Sequence, residues 1–166
     1  MSARVLVVDD ILPNVKLLEA KLSSEYYDVI TATSGEEALQ KVQQDNPDLV
    51  LLDVMMPGMD GYEVTRRLRQ DPSLSYIPIL LITAHDQSSL VEGLDAGADD
   101  FIHKPVDVNE LQARVRSLLR LKNVTLRSAI VFSRASRFMY PSIKILWVWA
   151  SCMIAGISPS AFAKSS

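Results

Sequence analysis

The chain has 166 residues, of which 48% are apolar and 22% charged, a composition that excludes an intrinsically disordered chain and suits one domain with a full core. Its single cysteine, Cys152, excludes an internal disulfide framework and argues against a structural zinc site, which fits a reducing compartment. The net charge of −3 conceals an abrupt change: residues 1–122 hold 12 basic and 20 acidic residues, whereas residues 123–166 hold 5 basic residues and no acid. The acidic first part speaks against nucleic acid as a partner, and the break predicts a domain over residues 1–122 and a basic, apolar tail over 123–166.

Arg4-Val-Leu-Val-Val8 reads as a buried strand closed by Asp9-Asp10, and those charges also rule out an apolar secretory segment at the start. A helix follows from about Pro13, with Val15, Leu18 and Leu22 on one face. Val29-Ile-Thr-Ala32 is a second strand. Ser34 with Glu37 has capping-box spacing before a helix whose apolar face is Ala38, Leu39 and Val42, and Asn46-Pro47 ends that helix.

Leu49-Val-Leu-Leu52 is a third strand, ended by Asp53. Pro57, Gly58 and Gly61 form a loop, and Val64 and Leu68 lie four apart on the next helix. Ile79-Leu-Leu-Ile82 is a fourth strand, ended by Thr83. A helix over about Leu90 to Ala96 stops at Gly97, and Phe101-Ile102 is a short fifth strand. Asp107 with Glu110 repeats the cap spacing before a last helix with Leu111, Val115 and Leu118 inward.

Five strand–helix units in succession predict an α/β fold, a doubly wound five-stranded parallel sheet of flavodoxin-like order. In such a sheet the strand ends share one rim. That rim gathers Asp9, Asp10, Asp53 and Thr83, with Lys104 two residues beyond the fifth strand. Three crowded carboxylates repel one another, and a hard cation with oxygen ligands relieves them, a role that suits Mg²⁺. Carboxylate, cation, ammonium and hydroxyl together suit phosphoryl transfer to an aspartate. Taken singly, each residue has a plainer reading: a turn former, a strand hydroxyl, a surface charge. His85 and His103 read as surface residues, and Met55, Met56 and Met59 as a loop cluster.

Val-Val-Asp9-Asp10, Leu-Leu-Asp53-Val-Met-Met-Pro57-Gly-Met-Asp60-Gly61, Ile-Thr83-Ala84 and Lys104-Pro105 resemble, in order and interval, the response-regulator receiver domain of two-component signalling, a CheY-like (βα)5 fold. The run Asn14 to Leu22, Gly97-Ala-Asp-Asp-Phe101 and Ala113 to Leu118 resemble in particular the first receiver of PleD-like diguanylate cyclase response regulators. The resemblance implies Asp53 as phosphoacceptor, and Mg²⁺ held by Asp10, Asp53 and the Met55 carbonyl, with Asp9 on a metal-bound water. It implies Lys104 and Thr83 as contacts to the phosphoryl group, Phe101 as the aromatic switch and a cis bond before Pro105. Phe101 lacks the hydroxyl of the more usual Tyr, so its switching would come from packing alone.

The implied function is that of a phosphorelay response regulator in the cytoplasm. Its implied partners are a sensor histidine kinase or phosphotransfer protein, and a second receiver in a dimer. It would act as a switch and not as an enzyme beyond its own phosphorylation and dephosphorylation. Two other functions share parts of the pattern. An aspartyl-phosphate hydrolase of the haloacid-dehalogenase type wants an acid two residues after the nucleophile, where Met55 stands. A flavin carrier wants Ser, Thr and Gly in its first loop, where Asp9 and Asp10 stand.

The tail departs from the family pattern, and it holds no Gly-Gly-(Asp/Glu)-Glu-Phe signature to support cyclase activity. Its apolar run Ile145 to Ile157 spans 13 residues, short of the about 20 that cross a bilayer. It reads as a frameshifted or truncated remnant, as a partner-binding or membrane-touching segment, or as a helix packed on the receiver, with the first favoured.

Overall fold

The computed structural model describes residues 2–84 and 92–136, with side chains described as far as Lys122. Five parallel strands run β1 Arg4–Val8, β2 Asp28–Ala32, β3 Leu49–Asp53, β4 Ile79–Thr83 and β5 Asp100–His103, in the order β2-β1-β3-β4-β5. The helices are α1 Leu12–Ser23, α2 Gly35–Asp45, α3 Gly61–Gln70, the helical residues 92–95 (α4) and α5 Val108–Ser136.

β3 and β4 are buried at every position because both sheet faces are covered. Their apolar runs nevertheless sort by strand period. Leu6, Val8, Val50, Leu52 and Leu81 face one cluster with Ala38 and Val42 of α2 and Val64 and Leu68 of α3. Val5, Val7, Leu51, Leu80 and Ile82 face the other, with Leu18 and Leu22 of α1 and Leu111, Val115 and Leu118 of α5. Alternating residues of one strand thus build two cores, each fully buried Leu or Val contributing about 1.5–3 kcal/mol.

The helix ends follow their sequence signals with one difference. Ser34 accepts from the Glu37 N–H at 3.2 Å, but the Glu37 carboxylate accepts from the Thr33 N–H at 2.7 Å, one residue short of a full capping box. Asn46 closes α2 in the left-handed region at φ 48°, and Gly97 turns the chain at φ 97°. Asp107 accepts from the Glu110 N–H at 2.9 Å. The start expected for the helix before Gly97 lies outside the described residues, as does His85.

α5 continues to Ser136, past the change of composition near Lys122. By compactness the chain divides into Met1–Asn123 and Val124–Ser166. The apolar run Ile145 to Ile157 lies outside the described residues, among which no helix is long and apolar enough to cross a membrane.

Candidate functional site

The strand order sets β1 beside β3, with Val8 in register with Leu52, so Asp9 and Asp53 emerge side by side. Both carboxylates are buried, Asp9 at 0% and Asp53 at 1% exposure, while Asp10 turns outward. One carboxylate oxygen each from Asp9, Asp10 and Asp53 can lie within 4.8 Å of the others. All are hard anionic oxygens and Asp10 is open to solvent, so the set fits an ion that keeps some of its waters, as Mg²⁺ does.

Lys104 reaches this pair from β5. Its backbone N–H donates to the Thr83 carbonyl at 2.8 Å, and its peptide bond to Pro105 is cis. Its Nζ donates to Asp53 Oδ2 at 2.9 Å and to Asp9 Oδ2 at 3.2 Å. Burial alone would lower the Lys104 pKa, but the attraction of Asp53 and Asp9 outweighs it and holds the ammonium above 10.5. For Asp53 the balance reverses: burial raises its carboxyl above 3.8, Lys104 opposes this, and Asp9 adds to it. The two partners differ because the Lys104 side chain is 26% exposed and keeps part of its hydration, whereas that of Asp53 is 2% exposed.

Asp9 is held on several sides. Its Oδ1 accepts from the Ile11 N–H at 2.8 Å, and the Asn14 amide donates to Oδ1 at 3.2 Å and Oδ2 at 3.1 Å. Asn14 escaped the sequence reading, although its place five residues after Asp9, in the first turn of α1, is a spacing from which an amide can reach back.

The loop from β3 to α3 passes close to Asp53. The Met55 N–H points at Asp53 Oδ1 across 3.4 Å, and the Met55 side chain is 58% exposed. Within this loop Met56 and Met59 are core residues, whereas Met55 is exposed. Asp60 caps α3 by accepting from the Glu63 N–H at 2.8 Å. Gly61 does more than form a loop: a Cβ there would stand 2.4 Å from the Asp53 carbonyl oxygen and 2.9 Å from Val54 Cα. Only glycine lets α3 start directly against the Asp53 backbone.

Thr83 is buried at the end of β4 and lines a small cavity with Phe101, Tyr62, Leu81 and Gly93. Phe101 is half-buried, its ring 5.9 Å from the Arg114 guanidinium and 5.5 Å from the His103 ring. Arg114 is clamped by Asp100, at 2.6 and 2.7 Å to its two oxygens. A separate cleft of about 310 Å³, lined by Asp9, Asn14, Leu17, Lys104, Pro105 and Val106, opens beside the carboxylates. The described geometry therefore joins Asp9, Asp53 and Lys104 directly, sets Asp10 and Met55 next to them, and puts Thr83 and Phe101 around a neighbouring cavity.

A family model described as the response regulator receiver domain matches residues 5–116. The response regulator PleD of Caulobacter vibrioides is 58% identical over 125 residues, 75% of this chain and 28% of that protein. The alkaline phosphatase synthesis transcriptional regulatory protein PhoP of Bacillus subtilis is 45% identical over 130 residues, 78% of this chain and 53% of that protein. The chain thus spans from under a third to about half the length of these relatives. Among solved structures, the chemotaxis protein CheY4 of Vibrio cholerae superposes with a TM-score of 0.68 at 31% identity, covering 71% of this chain and 99% of that one. The receiver domain of a Francisella response regulator gives 0.67 at 31% identity, covering 72% and 98%.

Proposed function

The chain belongs to the response regulator receiver family of two-component signalling, and from that premise we propose that Asp53 is its phosphoacceptor and Asp9, Asp10, Asp53 and the Met55 carbonyl its Mg²⁺ site. The observation that carries this reading is the triangle of Lys104 Nζ with the buried Asp53 and Asp9 carboxylates, at 2.9 and 3.2 Å. A buried carboxylate beside an ammonium, with two further acids that can hold a divalent cation, is a nucleophile with its counter-charges at hand.

In the proposed reaction an Asp53 carboxylate oxygen attacks phosphorus. The new O–P bond forms as the P–N bond to a histidine imidazole breaks, and the imidazole leaves with the electron pair. Bound Mg²⁺ supplies charge neutralisation for the phosphoryl oxygens. Lys104 passes from the carboxylates to the incoming phosphoryl oxygens, Thr83 donates its hydroxyl to the aspartyl phosphate, and Phe101 repacks in response. The donor is a sensor histidine kinase or a phosphotransfer protein, the compartment is the cytoplasm, and output follows as a changed surface, including pairing with a second receiver. Residues 1–122 form the phosphoaccepting unit, so a chain truncated after Lys122 should still accept phosphate.

Acetyl phosphate with Mg²⁺ should give one acid-labile phosphoryl group on the wild type and none on Asp53→Ala. Labelling that persists in Asp53→Ala would overturn the assignment. The same assay on the truncated chain tests the boundary, which loss of labelling there would refute.

A further inference from the structure

We propose that Asn14 is a positioning residue of the metal site: its amide holds the Asp9 carboxylate in place when Lys104 turns to the phosphoryl group, and thereby sets the affinity for Mg²⁺. The inference rests on the reading of the acid cluster given above.

Asp9 is completely buried, so its two oxygens depend on donors from the protein. The described structure gives them three sources: the Ile11 N–H to Oδ1 at 2.8 Å, Lys104 Nζ to Oδ2 at 3.2 Å, and the Asn14 amide to both, at 3.2 and 3.1 Å. These donors have different fates during transfer. Lys104 is shared with Asp53, 2.9 Å away, and is the group that must move to an incoming phosphoryl oxygen. When it leaves, Oδ2 retains a single donor from this set, the Asn14 amide. The Ile11 N–H fixes one oxygen, which leaves the carboxylate free to swing about that bond. The contact from Asn14 to the second oxygen removes that freedom.

Asn14 is well placed for this task. It lies in the first turn of α1, whose Val15 and Leu18 are packed in the core, so its Cα is anchored. Its side chain also lines the cleft beside Lys104 and Pro105. A neutral amide holds the carboxylate without adding a cation that would compete with the metal. Partners that orient metal-site carboxylates in this way typically account for about 10–100-fold in metal affinity.

The test is Mg²⁺ binding by isothermal titration calorimetry on the full chain, with thermal melts with and without Mg²⁺, for wild type, Asn14→Leu and Asn14→Gln. Asn14→Leu keeps the branched outline of the side chain and removes the donors, and Mg²⁺ binding should weaken by about 10-fold, the lower end of that range. Asn14→Gln keeps the amide on a longer stem and should recover most of that loss. A residue that merely supported the fold would lower the melting temperature equally with and without Mg²⁺ and leave the dissociation constant unchanged. An unchanged or tighter constant in Asn14→Leu, beside a wild type that binds, overturns the role of Asn14 alone. If Asn14→Leu does not fold, Asn14→Ala decides: Mg²⁺ binding weakened by about 10-fold upholds the assignment, and binding within about threefold of wild type overturns it. A wild type that binds no Mg²⁺ overturns both the assignment and the reading beneath it.

Discussion

Replacing Lys104 with Met removes the ammonium but keeps most of the aliphatic stem, and so isolates the charge at the centre of the site. Nζ lies 2.9 Å from Asp53 and 3.2 Å from Asp9, both buried. Deleting one partner of a buried pair usually costs about 3–5 kcal/mol, because the remaining charge is left uncompensated. The Lys104 side chain is 26% exposed, so solvent screening discounts this to about 2–3 kcal/mol. For a chain of this length that is a fall of about 5–10 °C in melting temperature without metal. The Lys104 pKa is raised in the folded state, so its contribution is fully present below 10.5 and is lost only as pH rises through the folded value. A melt at pH 7 therefore sees all of it. Millimolar Mg²⁺ should restore more than half of the deficit by replacing the lost counter-charge. Phosphorylation by acetyl phosphate should fall by about 100-fold or more even with the metal present. Scanning calorimetry with and without Mg²⁺ is the assay. An unchanged melting temperature, or a deficit that Mg²⁺ leaves untouched, would refute the view that Lys104 neutralises the acids that hold the metal.

Asp53→Asn should raise the metal-free melting temperature at pH 7. The folded Asp53 pKa lies above 3.8, so ionisation costs the wild type stability as pH rises from 3.8 through that value. Denaturant titrations at pH 4 and pH 7 should show the gap between variant and wild type widening with pH. Gly61→Ala should lose about 1–3 kcal/mol in chemical denaturation, since a Cβ would meet the Asp53 carbonyl oxygen at 2.4 Å. Mg²⁺ binding should weaken with it, because the Asp53 backbone must move. Tyr76 donates its hydroxyl to Asp99, and burial first, then Asp99, push its pKa up to about 12. Ultraviolet titration of Asp99→Asn should show one phenol ionising earlier than in the wild type.

The sequence was most informative where one physical signal dominated. The apolar runs of β1, β3 and β4 are buried on both faces, and the acids that close β1 and β3 share the predicted rim. Asp53 and Lys104 are 51 residues apart, yet their meeting follows from parallel strands and a common edge. The roles of Asn14 and Gly61 were hidden because each depends on a distance across the fold. A helix-turn amide and a loop glycine look ordinary until the Asp9 oxygens and the Asp53 carbonyl are set against them. Met55, Met56 and Met59 read together as a loop cluster, and which of them the loop folds back to bury, Met56 and Met59, depends on contacts across the fold. The last helix runs beyond the charge break, to Ser136, because a change in net charge is not in itself a helix stop and no Gly or Pro stands there.

The strand order carries a further consequence for how the site opens. The acids stand on the central pair β1 and β3, each hydrogen-bonded to strands on both sides, whereas the strand that delivers Lys104 is the rim strand β5, paired only with β4. Rim strands fray more readily than central ones. A brief detachment of β5 would withdraw the ammonium and leave the two carboxylates in place, and the loss would heal as the strand re-pairs. Amide hydrogen exchange should accordingly be faster along Asp100–His103 than along Leu49–Asp53. The protein would then spend a small, temperature-dependent fraction of its time as a bare acidic pocket, the form to which a divalent ion would be drawn most strongly.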